Sequence, residues 1–191
     1  MNLRTALEPM LHVDPAHWRG LPEASVEDFD ALLGPPEERT EGTLGYYPAT
    51  RCRYRDKDGA GIILWARNDA AVMVEAMEAP PPSVLDDLPE PTIVLPQEIL
   101  IPDAYAHEYL YCATGLVLTV AESLHGGADR IVRCRGVRPL TSARDFGPAY
   151  YMPFEDQIAW SESDSAGDPG ELFEGTGIMN SLLTDIGTRN F

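Results

Sequence analysis

Gly59-Ala-Gly-Ile-Ile-Leu-Trp65 and Ala113-Thr-Gly-Leu-Val-Leu-Thr-Val120 decide how this chain is read. Each places an apolar, strand-length run directly behind a glycine, and Gly61 and Gly115 stand 54 positions apart. Runs this short, rich in β-branched and aromatic residues and bounded by turn residues, predict buried strands. What flanks them follows the same order twice.

Before the first run, Tyr47 to Arg55 alternates through Arg51, Cys52, Arg53, Tyr54 and Arg55, a half-buried strand. Asp58-Gly59 then predicts a tight hairpin, because a two-residue turn of this kind needs positive φ at both centres. After it, Asn68-Asp69 is a second turn, Val72 to Glu78 a third strand, and Pro80-Pro81-Pro82 closes the unit. Upstream stands a helix: Ser25 is a capping residue, Asp28 sits at its third position, Phe29, Leu32 and Leu33 form the apolar face, and Gly34-Pro35-Pro36 ends it. A polar loop joins this helix to the strands.

The second copy reads alike. Ser83 to Pro91 is a short capped helix stopped by proline, and a long loop holds Thr92 to Leu95 and Ile99 to Pro102. The strands His107 to Cys112, Leu116 to Ala121 and Ile131 to Val137 follow, with His125-Gly126-Gly127 lengthening the last turn. The expected fold is therefore α+β: a tandem repeat of a helix–loop–three-strand antiparallel unit, with the helices packed on one face of the sheet. The expected divisions are an N-terminal helix and turns (1–24), repeat unit one (25–82), repeat unit two (83–144), an aromatic edge segment (145–160), an acidic linker (161–170) and an amphipathic tail (171–191). The N-terminal helix carries Leu3, Leu7, Met10 and Leu11 on one stripe, with Pro9 near its end. The tail carries Ile178, Met179, Leu182, Leu183 and Ile186 at helical spacing behind a small-residue tether; the readings are a final helix folded back on the same domain, a peptide that docks its stripe in a partner's groove, or a segment that another enzyme modifies or cleaves.

Bulk properties narrow the function. The 191 residues are 44% hydrophobic, enough for a real core, and no apolar run approaches the ~20 residues that cross a bilayer. The N-terminus shows no secretory h-region, so the expected location is cytoplasmic. Cys52, Cys112 and Cys134 are too few and too far apart for a disulfide scaffold or a zinc site, and apolar neighbours make them core residues. The net charge of −17 repels nucleic acid and suits a basic protein partner. Within that acidic field the basic residues gather at Arg51, Arg53, Arg55 and Arg67 and again at Arg130, Arg133, Arg135 and Arg138.

Chemistry-bearing motifs are sparse. No nucleophile elbow, P-loop, dinucleotide fingerprint or His-Glu-x-x-His is present. Asp56-Lys-Asp58-Gly59 begins like a calcium loop, but Trp65 stands where the bidentate Glu belongs. His12 and His17 are split by Asp14-Pro15. No metal or other cofactor is expected. The best catalytic set is His107, Glu108 and Cys112, yet period two puts His107 and Cys112 on opposite faces. An enzyme or ligand-binding protein would need a pocket near His107, with Glu108 or His125 converging on it.

The same period-two logic puts Ile62, Leu64 and Ala66 on the core side, with Leu116, Leu118 and Val120 as their counterparts. Ile63, Trp65 and Arg67 then face the other way. If Arg51, Arg53 and Arg55 share that side, the sheet presents an Arg/Trp surface, the residue types that most often dominate binding energy at interfaces. The competing expectation is that Trp65 packs inside and the arginines pair with acidic neighbours.

Phe29-Asp-Ala-Leu-Leu-Gly-Pro-Pro36 with the Gly61 strand, and Val84-Leu-Asp-Asp-Leu-Pro-Glu-Pro91 with the Gly115 strand, resemble in layout the beta-lactamase inhibitor protein and the single-unit outer-membrane assembly lipoproteins. The resemblance spans roughly residues 25–140. It implies a non-catalytic, protein-binding sheet. The chain departs from those families in lacking paired cysteines and a lipoprotein cysteine. The expected function is a non-catalytic cytoplasmic protein-binding module: an inhibitor, an immunity-type factor or an adaptor. A small enzyme near His107 and a self-associating assembly subunit are the alternatives.

Overall fold

The computed structural model describes residues 2–44, 47–56, 59–101, 104–123, 125, 127 and 129–139. The aromatic edge segment, the acidic linker and the tail with Ile178, Met179, Leu182, Leu183 and Ile186 lie outside the described residues.

Among the described residues, eight strands form one antiparallel sheet: β1 Glu38–Leu44, β2 Tyr47–Arg55, β3 Gly61–Arg67, β4 Ala70–Ala76, β5 Ile93–Ile101, β6 Ala104–Tyr111, β7 Leu116–Ser123 and β8 Arg130–Val137. Their order is β1-β2-β3-β4-β8-β7-β6-β5. Each half is thus a meander in chain order, and the halves join through their last strands, with Met73, Val74 and Glu75 opposite Val137, Gly136 and Arg135. Helices α1 Leu3–Leu11 and α2 Val26–Leu33 precede the sheet, with short 3-10 turns at Pro15–His17 and Pro82–Asp87. The class is α+β, as expected.

Three local expectations needed correction. Glu38–Leu44 is a strand, not a loop. Its side chains are exposed up to Leu44, so no buried face imposes an alternation; backbone pairing to β2 holds it, helped by exposed contacts of Arg39 with Asp30 and Glu41 with Thr50. Ile93–Ile101 is likewise a strand, although it contains Pro96; an edge strand tolerates proline where an interior one does not. The second helix is only a 3-10 turn without a side-chain cap, since the prolines at 82 and 89 leave too few residues for successive α-turns.

Elsewhere local chemistry wrote the elements. Ser25 Oγ accepts from the Asp28 N–H at 3.2 Å while the Asp28 carboxylate accepts from the Ser25 N–H at 2.8 Å, a reciprocal cap at the start of α2. The Ser25 N–H first, and the Ser25 hydroxyl second, donate to the Asp28 carboxylate, which favours its ionised form and lowers its pKa. Asn68 and Asp69, both at positive φ, join β3 to β4 with two residues, as a type I′ hairpin requires.

One face of the sheet meets the helices. Leu7, Met10, Trp18, Leu21, Val26 and Phe29 pack against Cys52, Tyr54, Ile62, Leu64, Val74, Leu116, Leu118 and Cys134 in a single apolar cluster. Helix α1 lies over β3 and β4, at the centre. Tyr54 carries its one polar atom out of this core to Asp30, at 2.8 Å. Burial first, and that bond second, raise its pKa.

The two glycines that opened the reading play different parts. Gly115 adopts φ +65°, and a Cβ there would collide with the Val137 carbonyl. Gly61 shows no positive φ, and a Cβ would meet the Met77 side chain. A third glycine matters more for the core: Gly136 lies beneath the Trp18 ring, which leaves no room for a Cβ.

Candidate functional site

The face opposite the helices carries every described residue proposed for partner binding. Antiparallel register aligns Arg51 with Trp65 and Arg53 with Ile63, while their neighbours Cys52 and Leu64 point into the core. The condition set by the sequence, arginines and tryptophan on one side, is met. The Arg51 Cζ stands 5.9 Å from the Trp65 ring centroid, within cation–π range. Trp65 is half-buried, and its indole N–H is itself buried without a hydrogen-bond partner among the described residues. Arg55 lies at the far end of β2 opposite Gly61 and donates to the Gly59 carbonyl at 2.8 Å. Arg67 ends β3 beyond a bulge between Trp65 and Ala66.

Acidic neighbours are present too. Glu37 lies 3.3 Å from both Arg53 Nε and Arg55 Nε, and Glu38 lies 3.8 Å from Arg51 Nη1. Arg53 Nε forms no proper hydrogen bond despite that proximity. The three arginine side chains remain about a third exposed, at 31%, 37% and 36%. Pairs this open are screened and contribute little to stability, about 0–1 kcal/mol each. Their charges stay accessible to a partner.

Register extends one row of this face across all eight strands: Glu38, Arg53, Ile63, Glu75, Arg135, Val117, Leu110 and Ile93. Exposure falls along it. Glu38 is exposed, Arg53, Ile63 and Glu75 are intermediate, and the remaining four are buried. The accessible part of the face is therefore the first half, β1 to β4.

Within the buried part sits an ion pair that sequence reasoning missed. Arg135 Nη2 donates to Glu108 Oε2 and, at 3.0 Å, to Thr119 Oγ1; Thr119 Oγ1 donates to Glu108 Oε1 at 2.6 Å. Glu108 is 0% and Arg135 1% exposed. Beside them Arg133 Nε donates to Glu75 at 2.9 Å, across the joint between the halves. The available signal was a charged or hydroxyl residue interrupting each of three apolar strands. Only the strand order brings the three together.

That pairing also splits the catalytic set. Glu108 faces away from His107, so the two do not converge. His107 stands on the helix side with Nδ1 3.2 Å from Glu122 Oε1, the same oxygen that accepts from the Tyr109 hydroxyl at 2.7 Å. Burial first, and that bond second, push the Tyr109 phenol up to about 12. Cys112 lies just past the end of β6 and is fully buried. Among the described residues, no cluster of three or more His, Cys, Asp or Glu side chains is arranged to hold a metal. A cavity of about 490 Å³ is lined by Pro22, Ala24, Ser25, Asn68, Asp69 and Arg138 among others, away from His107. Among the described residues, no helix is long and apolar enough to cross a membrane.

No protein-family model matches the chain, and no curated protein does. A solved structure of a DUF4309 family protein (YjgB) from Bacillus subtilis is similar, with a TM-score of 0.42 and 14% identity over 71% of this chain and 99% of that one. A likeness at that level carries no argument about function.

Proposed function

We propose that the chain is a non-catalytic, cytoplasmic protein-binding module (an inhibitor, immunity-type factor or adaptor) that holds a protein partner on the face of β1 to β4 opposite the helices. The observation that carries this reading is the Arg51 guanidinium over the half-buried Trp65 ring, with Arg53, Arg55 and Arg67 further along the same face. Tryptophan and arginine are the residue types that most often concentrate binding energy at interfaces. Three free, buried cysteines suit a reducing compartment.

Size argues for more than one contact. Four strands at about 4.8 Å spacing and seven residues at about 3.3 Å give a face of roughly 19 by 23 Å. That is about half the ~800 Å² footprint of a standard interface. The tail stripe of Ile178, Met179, Leu182, Leu183 and Ile186 is the second contact in this proposal. The architecture is read as a tandem duplication similar to the beta-lactamase inhibitor protein layout. Two meanders joined antiparallel through β4 and β8 support that reading, while the differing roles of Gly61 and Gly115 weigh against strict equivalence.

The test is affinity capture from native extract with three baits: the full chain, the chain ending at Ser161, and the full chain carrying Trp65→Ala with Arg53→Ala. A stoichiometric partner should be retained by the first, reduced by the second and lost by the third, while the third bait melts within a few degrees of the native chain. Undiminished retention by the double variant would move the interface elsewhere. Recovery of the bait's own sequence as the partner would favour the self-associating alternative.

A further inference from the structure

The proposed partner face leaves unused the helix-side surface at the outer end of β6 and β7. Residues 105, 107 and 109 alternate onto that side with Glu122 and Val120, as the register pairs Tyr105 with Glu122 and His107 with Val120. Helix α1 lies over β3 and β4, so it does not cover this end of the sheet. Tyr105 is 65% exposed, and Val94, opposite Tyr109, is 42% exposed. They are the large apolar side chains left open among the described residues.

Glu122 is held in place beside this aromatic strip. Its Oε1 accepts from Tyr109 and lies against His107 Nδ1, which keeps the carboxylate from swinging freely. Its Oε2 takes no part in either contact. Asp129 adds negative potential at Tyr109. The surface therefore combines an exposed aromatic face, a second phenol, and a fixed carboxylate with one oxygen available, inside a chain of net charge −17.

We propose that this surface receives an arginine side chain of a protein partner, stacked on Tyr105 with its N–H groups donating to Glu122. A guanidinium fits better than an ammonium. It is flat, stacks on a phenol ring, and still presents in-plane donors to a carboxylate. An anionic partner would meet Glu122 and Asp129 and be repelled. The site lies on the other side of the sheet from Trp65 and stands or falls separately from the proposed partner face.

The experiment titrates the full chain with a short synthetic peptide carrying one central arginine, followed by amide NMR shifts and calorimetry. The same peptide with lysine or with neutral citrulline at that position serves as comparison. Expected are shifts centred on Tyr105 and Glu122, and an affinity about tenfold lower for citrulline. Glu122→Gln should weaken arginine-peptide binding about tenfold, and Tyr105→Ala about threefold. Both side chains are exposed enough for the variants to fold, which unchanged melting curves would verify. Equal binding of the citrulline or lysine peptide, or indifference to both substitutions, overturns the assignment.

Discussion

Gly136→Ala is a single-methyl perturbation whose outcome the core decides. Gly136 lies in β8 between Val74 and Leu116, on the helix side, with the benzo ring of Trp18 directly above it. Two effects oppose each other. Alanine loses less backbone entropy than glycine on folding, which favours the variant by about 0.5–1 kcal/mol. The added methyl must displace a ring that is 1% exposed and hemmed in by the core, and such overpacking costs about 1–3 kcal/mol. The clash wins, with a net loss of about 1–2 kcal/mol. For a chain of this size that lowers the melting temperature by about 2–8 °C. Urea denaturation followed by circular dichroism should show a lower midpoint at unchanged slope. The cause is separable. Trp18→Phe removes the benzo ring, so in that background Gly136→Ala should lose most of its effect, a coupling of about 1 kcal/mol or more. A variant more stable than the native chain, or an equal loss in both backgrounds, would refute the packing argument.

Other perturbations probe the buried charges and the thiol and phenol groups. Glu108→Gln removes the buried carboxylate that Arg135 donates to and should destabilise by about 3–5 kcal/mol, whereas Glu108→Leu with Arg135→Met should recover most of that. A single variant no worse than the double would show that the pair's charges are not desolvated. Burial pushes the Tyr111 phenol and the Cys134 thiol up to about 12, as burial and Glu122 do for Tyr109. Folded-state values raised above the unfolded ones mean that the stability they supply is fully present below about pH 9. It is then lost as pH rises through about 12. The urea midpoint should accordingly fall above about pH 9, and tyrosinate absorbance should rise in an early wave and a late one. A single wave near the ordinary tyrosine value would contradict the burial of Tyr54, Tyr109 and Tyr111.

Much of the architecture was legible because it is local. The Ser25–Asp28 cap, the Asn68-Asp69 hairpin and the strands at β2, β3, β7 and β8 follow from residues within a few positions of one another. Period two put Arg51, Arg53 and Arg55 on one face of β2 and Ile63, Trp65 and Arg67 on one face of β3; only the register between the two strands made those faces the same. Strands β1 and β5 were hidden, because an edge strand needs no buried alternation and tolerates proline.

What the linear order could not carry is which strands become neighbours. Nothing near residue 74 announces that β4 will pair with β8, yet that junction unites the halves and sets Glu75 beside Arg135. Nothing near residue 108 announces that Glu108 will meet Arg135 across β7, or that Trp18 will need a glycine at 136. These contacts depend on register between distant segments, and register is chosen by the whole sheet as it buries its faces. By itself, then, the sequence determined most of the elements, the alternation of faces within each strand and the acidic field. The tertiary structure alone decided which half of the second face stays open and which side chains share a buried charge. It also brought Tyr105 and Glu122 together at one end of the sheet.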